Sequence, residues 1–312
     1  MEKIVLAVDG GGTKTVSWLA RVRPEDGPQI LGRGAAGSSN LQAVGSENAL
    51  ANLSFAIKSS WIDAGLQPAA ADVAVFALAG SGQVEAQAQV LDWAMRQAIA
   101  KKVQVLHDAR AVLLAGTPAG WGVALVAGTG AVAFALDATG KQAVAGGWGH
   151  WFGDEGSAFW LGQFALRTAT QAVDGRGSSS RLTQAILDRL EITEPKEMLS
   201  ALSRGGDVRQ AIAALADLVS LLAAEEDEVA ARIVDEAVAH LAGLVVCVAN
   251  QLSIGKQFPL ALAGGVLCGS SFVRERLTTE LRNHDICPSS LQLVHEPVHG
   301  CLRHACREAA AD

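Results

Sequence analysis

The chain alternates between short apolar runs bounded by turns and longer stretches in which apolar residues recur every three or four positions. Residues 3–35 predict strand, glycine turn, strand, turn and strand. The strands lie in KIVLAVD, TVSWLARV and ILGRGAA, and the second turn is RPEDGPQ. A helix is predicted next, with Ser46 as its N-cap, Ala64 as its last residue and Gly65 after it. Its apolar positions are Leu50, Leu53, Ile57 and Trp61.

The rest of the first half predicts a strand over Asp72–Gly80, a helix in VEAQAQVLDWAMRQAIA and a strand over Val103–Asp108 that ends in a carboxylate. The opening pattern then returns, because residues 122–147 again predict strand, glycine turn, strand, turn and strand. The glycine turns DGGGTKT and AGTGAVA open the two halves, which indicates an internal duplication. Residues 154–253 are predicted to be mostly helical. Strands in FPLALAG and LQLVHE, a helix from Ser271 and a helix in VHGCLRHACREAA complete the pattern.

Strands interleaved with helices predict an α/β fold with parallel sheets that are covered on both faces. The loop AGTPAG separates the two halves. We expect residues 1–117, joined by the C-terminal helix 298–312, to form one lobe and residues 118–297 the other. The natural ligand site of such a pair is the cleft between the lobes, and closure on a ligand predicts hinges at 116–120 and 296–300.

Composition and charge disfavour several classes of function. Half of the 312 residues are hydrophobic and the net charge is −7, which disfavours nucleic acid as the main partner because phosphate-backbone binding needs a basic face. We predict no membrane partner, since LAGLVVCVA is much shorter than the roughly 20 residues of a membrane span. The apolar run before Asp9 is too short for a signal peptide. The five cysteines form no C-x-x-C pair, which favours reduced thiols in the cytoplasm.

Asp9 ends the first strand, and three glycines follow it in DGGGTKT. Glycines at such a corner can reach positive φ and carry no side chains that would block a ligand, and their N–H groups can converge on an anion. Two glycine corners, one in each half, therefore predict a polyphosphate site, with Asp9 holding Mg²⁺ through water. The alternative is a tight hairpin in which Asp9 accepts turn hydrogen bonds. The segment is neither a Walker P-loop nor G-x-G-x-x-G.

Five segments occur in the order found in the actin/hexokinase-fold sugar kinases: VDGGGTKT, HDARAVLLAG, VAGTGAVAFA, GGWGHWFGDEGSAFWLG and LALAGGVLCGS. More narrowly, the chain resembles the N-acetylglucosamine kinases of the BadF/BadG/BcrA/BcrD group over nearly its whole length. The resemblance implies two ribonuclease-H-like lobes with a nucleotide cleft between them, and ATP and Mg²⁺ as cofactors. It also implies phosphorylation of an amino sugar, with N-acetylglucosamine at its 6-hydroxyl as the first choice.

The resemblance further implies a role for each matching position. Asp108 matches the catalytic aspartate, which would take the proton of the attacking sugar hydroxyl, and Asp9 matches the metal-binding carboxylate. The positions that match nucleotide-binding residues are Asp9, Gly11, Gly12, Thr13, Lys14, Gly128, Thr129, Gly130, Gly264, Gly265 and Ser270. The positions that match sugar-binding residues are Asn40, Trp148, Gly149 and Asp154.

Two positions depart from the family pattern. Ala131 stands where relatives often carry serine, and His107 precedes Asp108 where Asn or Thr is expected. Structural roles also stay open at this stage. Asp108 could be a buried acid or a helix N-cap, Asp154 could cap the helix that follows it, and Asn40 could be a turn residue.

Several alternatives to this function stay open. Glucosamine or a muramic-type sugar could be the substrate, and a homodimer is possible. An alternative of another class is an ATPase activator of a 2-hydroxyacyl-CoA dehydratase-type enzyme, which bridges a [4Fe–4S] cluster with cysteines from the middle of the chain. The first cysteine here is Cys247, which argues against that role. A sugar-sensing module would need a helix-turn-helix segment, which the sequence does not predict.

Overall fold

The structure is a computed structural model of the chain, and it describes residues 2–23, 26–80 and 84–311. Contacts between Cα atoms divide the chain into two compact units. Unit 1 contains Met1–Trp121 and Glu296–Asp312, and unit 2 contains Gly122–His295. The turn predicted in RPEDGPQ includes residues 24 and 25, which lie outside the described residues. The lobes expected at 1–117 with 298–312, and at 118–297, stay a prediction.

Unit 1 is a five-stranded sheet with helices on both faces. Its strands are β1 (Lys3–Gly10), β2 (Lys14–Arg23), β3 (Asp26–Gly37), β4 (Ala71–Leu78) and β5 (Ala100–His107). Its helices are α1 (Leu41–Val44), α2 (Ser46–Asp63), α3 (Val84–Arg96), α4 (Asp108–Gly116) and the last helix of the chain, α13 (Val298–Ala311). The strand order is β3-β2-β1-β4-β5, in which β1 pairs antiparallel with β2 and parallel with β4.

The residues of β1 alternate between two hydrophobic clusters because successive side chains of a strand point to opposite faces. Val5 and Ala7 belong to a cluster with Leu302 of α13, whereas Leu6 and Val8 belong to a cluster with α2. Helix α13 also packs against α4. The C-terminal helix therefore completes the core of unit 1, although the 174 residues of unit 2 separate it from the rest of that unit.

Unit 2 repeats the same sheet. Its strands are β6 (Gly122–Ala127), β7 (Ala131–Leu136), β8 (Gln142–Gly146), β9 (Pro259–Ala263) and β10 (Ser290–Val294). Its helices are α5 (Ala158–Val173), α6 (Arg181–Arg189), α7 (Met198–Ser203), α8 (Val208–Ala213), α9 (Ala216–Ala224), α10 (Glu228–Leu252), α11 (Gly265–Gly269) and α12 (Ser271–Asn283), with a 3₁₀ turn at Pro195–Glu197. The order β8-β7-β6-β9-β10 matches that of unit 1 strand for strand, as the repeated pattern in the sequence predicts.

Both sheets are mixed, whereas the alternation of strands and helices predicted parallel sheets. The first three strands of each unit form antiparallel hairpins, and the later two strands pair in parallel. The cause is the connection length, because short turns join β1 to β2 and β6 to β7, whereas parallel neighbours need a long crossover. The α/β class with two repeated units is confirmed.

Helix α10 contains the apolar segment LAGLVVCVA and extends beyond it at both ends. It is 25 residues long, and an 18-residue window within it has a mean hydropathy of 1.6. By length and composition it could cross a membrane. In the structure, half of that window is buried, and the helix packs against β6, β7, β8 and neighbouring helices of unit 2.

Two predicted element boundaries were displaced. Gly45, not Ser46, is the N-cap of α2, and the Ser46 hydroxyl donates to Gln89 instead. Helix α3 ends at Arg96 rather than at residue 100, because Ala98 takes a left-handed conformation and Ala100 already pairs with Ala71 of β4. Strand pairing thus overrides the helix propensity of the alanine-rich QAIA segment.

Candidate functional site

Two carboxylates lie at one edge of the unit 1 sheet. Asp9 is the penultimate residue of β1, and Asp108 directly follows β5. Strands β1, β4 and β5 run parallel, with Asp9 beside Ala77 of β4 and His107 beside Leu78. The carboxyl ends of parallel strands share one edge of a sheet, where α/β proteins place functional groups. The two aspartates predicted from sequence therefore come together here.

Asp9 has an unusual electrostatic environment. Burial, with a further contribution from the nearby Asp108, raises its pKa from 3.8 to about 7, and Lys14 opposes the increase. A carboxyl in such a place favours its neutral form until a cation compensates the charge. The site therefore fits a divalent cation, which Asp9 could hold together with the phosphates of a nucleotide. Among the described residues, no three His, Cys, Asp or Glu side chains cluster as a metal site made by protein alone.

Asp108 begins helix α4 and is held by its immediate neighbours. Its Oδ1 accepts the backbone N–H of Ala109 at 2.9 Å and lies 2.9 Å from Nδ1 of His107. Within the described part of the chain, Oδ2 has no hydrogen-bond partner. One carboxylate oxygen is thus fixed by the start of the helix, and the other is available to a substrate.

His107 is the N-cap of α4, which explains its departure from the family pattern. Its backbone is extended, and its Nδ1 accepts the N–H of Ala109 at 3.2 Å. Asn and Thr are good N-caps because their side-chain oxygens accept such an N–H. The imidazole nitrogen replaces that oxygen here. Asp108 is therefore the first residue of the helix and not its cap.

The first glycine corner is the β1–β2 hairpin. The N–H of Gly11 donates to the carbonyl of Lys14 at 2.8 Å, and Gly12 and Thr13 form the exposed tip. The glycines of this corner do not use the positive φ that glycine permits. Gly10 is required for space instead, because a Cβ there would collide with the side chains of Ser39 and Leu78.

Asn40 lies at the same end of unit 1. It is the N-cap of α1, and its Oδ1 accepts N–H groups from Gln42 at 3.0 Å and Ala43 at 3.3 Å. Its carboxamide also lies close to Gly80, just after β4. The structural alternative and the predicted sugar contact are compatible, since the cap uses the oxygen and leaves the Nδ2 donors for a ligand.

The second glycine corner, Gly128–Gly130, joins β6 to β7 in unit 2. The N–H of Gly128 donates to the carbonyl of Gly130 at 2.9 Å, and the carbonyl of Gly128 accepts from Ala158 in the first turn of α5. Gly264, the N-cap of α11, lies against this corner with a φ of 92°. A Cβ on Gly264 would collide with the backbone of Ala127 and Gly128. The structure therefore brings together two segments of unit 2 that are predicted to bind nucleotide, Gly128–Gly130 and Gly264–Gly265.

Asp154 adjoins the same corner. It is 3% exposed, and its Oδ1 accepts the N–H of Ala131 at 3.1 Å. Its Oδ2 accepts from Arg209 at 3.3 Å. Burial raises the pKa of Asp154, while the Ala131 hydrogen bond and Arg209 oppose that increase. Asp154 does not cap α5, because Ser157 is the N-cap of that helix.

The other predicted residues of unit 2 are more dispersed. Trp148 is 77% exposed in the loop after β8, and Gly149 in the same loop has a φ of 82°. The hydroxyl of Ser270 caps α12 by accepting from Val273, and Gly265 begins α11. Trp148 therefore has the exposure that a ligand-binding ring needs, whereas the Ser270 hydroxyl already has a structural partner.

The pair of acidic residues, the two glycine corners and the repeated sheet agree with one family. A family model for BadF/BadG/BcrA/BcrD ATPases matches residues 6–288. The chain belongs to the BadF/BadG/BcrA/BcrD ATPase family.

Two curated relatives of this family member are named as sugar kinases. It is 29% identical over 266 residues to an N-acetylmuramic acid/N-acetylglucosamine kinase from Clostridium acetobutylicum, covering 85% of this chain and 86% of that protein. It is 27% identical over 277 residues to an N-acetyl-D-glucosamine kinase from Dictyostelium discoideum, covering 85% of each.

Solved structures place this BadF/BadG/BcrA/BcrD family member in the hexokinase-type fold. A protein from Chromobacterium violaceum, for which N-acetylglucosamine kinase activity has been suggested, matches with a TM-score of 0.76 and 27% identity over 96% of this chain and 98% of that one. The ROK hexokinase from Thermus thermophilus matches with a TM-score of 0.53 and 16% identity over the full length of both chains, which shows the fold alone. The predicted family and fold class are confirmed.

Arg209 is the residue of this region that the sequence did not reveal. It lies 55 positions from Asp154, in the polar segment GGDVRQ. A single arginine in such a segment is typical of a solvated surface, so no motif or periodic pattern distinguishes it.

Proposed function

We propose that this family member is an ATP-dependent kinase that transfers the γ-phosphoryl group to a hydroxyl of an amino sugar, with the 6-hydroxyl of N-acetylglucosamine as the first acceptor. The observation that carries the proposal is the pair Asp9 and Asp108 at one sheet edge, beside a glycine corner. Both curated relatives are named as kinases of N-acetylglucosamine, which supports this choice of substrate.

Asp108 is the proposed general base. Its free Oδ2 would accept the proton of the attacking hydroxyl as the oxygen approaches phosphorus, which requires a separation near 3 Å. The hydrogen bond from the Ala109 N–H to Oδ1 fixes the carboxylate, so little reorganisation is needed during the reaction. Phosphoryl transfer depends mostly on such positioning and on neutralisation of charge.

The glycine corners and Lys14 are the proposed phosphate contacts. The backbone N–H groups of Gly12 and Thr13 in one corner, and of Thr129 and Gly130 in the other, can donate to phosphate oxygens, whereas those of Gly11 and Gly128 already donate to carbonyls within their turns. Lys14 is exposed and close enough to lower the pKa of Asp9, so its charge can act on the same anion. Mg²⁺ held through Asp9 would neutralise phosphate charge.

Asn40, Asp154 and Trp148 are the proposed sugar contacts. Asn40 retains Nδ2 donors, and Asp154 retains lone pairs beyond its two recorded hydrogen bonds. The exposed ring of Trp148, with Gly149 beside it, offers an apolar surface to the face of a sugar.

A coupled assay of ADP release tests the proposal. The purified chain would be given ATP, Mg²⁺ and, separately, N-acetylglucosamine, glucosamine, N-acetylmuramic acid and glucose. We expect sugar-dependent turnover that is fastest with an N-acetylated amino sugar and is abolished by EDTA. Failure to turn over any amino sugar, beside an active kinase as positive control, would reject the proposed function.

A further inference from the structure

Asp154 is held in a conformation that its own sequence does not favour. Its φ is 62°, in the left-handed region that non-glycine residues rarely adopt. Its carbonyl accepts the N–H of Ser157 at 3.0 Å, which holds the backbone of this residue but not its carboxylate. The carboxylate therefore depends on its partners for a fixed orientation.

Those partners come from two other elements. The N–H of Ala131, at the start of β7, fixes Oδ1, and the guanidinium of Arg209, in α8, fixes Oδ2. The hydrogen bond from Ala131 belongs to the backbone and is present whatever the side chain. Of these two hydrogen-bond donors to the Asp154 carboxylate, Arg209 is the one that belongs to a side chain.

Arg209 is in turn placed by the packing of two helices. It lies in α8, which packs against α5, and Asp207 caps α8 by accepting from Gln210 at 3.0 Å. The close approach of the helices requires a glycine in α5, because a Cβ on Gly162 would collide with the carbonyl of Ile212. The packing of α8 against α5 therefore places the Arg209 guanidinium next to Asp154, which is distant from it in sequence.

We propose that Arg209 is a positioning residue of the sugar site, whose guanidinium orients the Asp154 carboxylate to accept hydrogen bonds from sugar hydroxyls. This inference rests on the proposed function for the part that concerns sugar. The Nε of Arg209 is buried and has no hydrogen-bond partner among the described residues. The guanidinium therefore retains a donor for a further acceptor at the same place.

The charged groups that act on Asp154 are Arg209 and His150, which lower its pKa, and Glu155, which raises it together with burial. Loss of the arginine removes a favourable interaction with the ionised form. The pKa of Asp154 should then rise further, because burial and Glu155 act unopposed by that charge.

The test uses the full chain with Arg209→Gln, Arg209→Lys and the control Arg204→Gln, which changes an exposed arginine of α7's C-cap. The carboxyl ¹³C shift of Asp154 would be titrated in protein labelled at aspartate, with Asp154→Asn for assignment. We expect the midpoint to rise in Arg209→Gln, to rise less in Arg209→Lys, and to stay unchanged in the control. An unchanged midpoint in Arg209→Gln would overturn the inference.

Steady-state kinetics supply the second readout. We expect Arg209→Gln to raise the KM for the sugar about tenfold with kcat and the KM for ATP within about twofold, and Arg209→Lys to recover part of the loss. An equal increase in the sugar KM of Arg209→Gln and Arg209→Lys, with parallel decreases in kcat and Tm, would indicate a merely structural role and overturn the inference. If Arg209→Gln does not fold, Arg209→Lys tests the inference in its place, and an unchanged Asp154 midpoint and sugar KM in Arg209→Lys would overturn it.

The two proposals fail in distinguishable ways. Absence of turnover in the wild type rejects the kinase proposal, while the titration of Asp154 still decides whether Arg209 controls this carboxylate. Turnover in the wild type with an unchanged sugar KM and an unchanged midpoint in Arg209→Gln rejects the role of Arg209 alone.

Discussion

The backbone N–H of Ala131 donates to Oδ1 of Asp154 at 3.1 Å, which ties the residue after the second glycine corner to a predicted sugar-binding carboxylate. Gly130 lies between them, and a Cβ at that position would stand 2.9 Å from Oδ1 and 3.0 Å from Oδ2. The glycine corner and the acidic residue are therefore parts of one arrangement, because the carboxylate occupies the space that a side chain would fill.

This arrangement predicts that Gly130→Ala impairs sugar use. The new methyl group must displace the carboxylate, so we expect the KM for the sugar to rise about tenfold, corresponding to about 1.4 kcal/mol. Steady-state kinetics with the sugar varied at saturating ATP measure this effect. Gly128→Ala is the matched control, because its nearest neighbour would be the Cα of Gly264 at 3.9 Å. A sugar KM that changes equally in both variants would contradict the explanation.

Alanine substitutions at the neighbouring residues Gly264 and Gly265 should differ in their effect on the free energy of unfolding. Gly264 has a φ of 92°, and a Cβ there would collide with the backbone of Ala127, whereas a Cβ on Gly265 meets nothing within 4 Å. We expect Gly264→Ala to lower the free energy of unfolding by about 2 kcal/mol or more, and Gly265→Ala to change it little. Denaturant unfolding followed by circular dichroism measures both. Equal stability of the two variants would show that the close approach of Gly264 to Ala127 is relaxed in solution.

The pKa of Asp9 predicts a pH-dependent stability difference for Asp9→Asn. The pKa rises from 3.8 to about 7 on folding, so the folded state binds more protons and loses stability as the pH increases between these values. Without Mg²⁺ and nucleotide, Asp9→Asn should therefore be more stable than the wild type above pH 7, by at most about 4 kcal/mol, and equally stable near pH 4.

Thermal unfolding at pH 4.5 and pH 8 with EDTA present would check this prediction. The control is Asp92→Asn, an exposed carboxylate on α3, which should shift the Tm equally little at both pH values. A lower Tm for Asp9→Asn than for the wild type at pH 8 would show that Asp9 makes a stabilising contact as an anion. The variant should nevertheless lose Mg²⁺-dependent turnover.

Asp108→Asn tests the assignment of the base. The amide keeps the shape of the carboxylate but cannot accept the hydroxyl proton, so we expect kcat to fall by 10²–10⁴-fold. The KM for ATP and for the sugar should remain within about threefold of the wild type. Stopped assays of sugar phosphate formation measure these constants, again with Asp92→Asn as control. Retention of more than about a tenth of wild-type kcat would assign the proton transfer to another group.

His107 illustrates how much of the site the sequence determined. The motif HDARAVLLAG identified Asp108 as a candidate catalytic residue, because an acid after an apolar run and before a helix is a local pattern. The sequence also marked the two glycine corners and the duplication, since turns and apolar periodicity depend on nearby residues. The capping of α4 by the imidazole of His107 was not predicted, because it depends on the side-chain rotamer and on the exact first residue of the helix.

The sequence by itself determined the order of strands and helices, the α/β class and the candidate acids and glycines, because each depends on local periodicity or on a short motif. Tertiary structure alone decided the mixed pairing of the sheets, the early start of β5 at Ala100 and the partnership of Asp154 with Arg209 across 55 positions. The physical reason is that strand pairing and ion pairing are non-local. They depend on which surfaces the helices bury, and no single stretch of sequence contains that information.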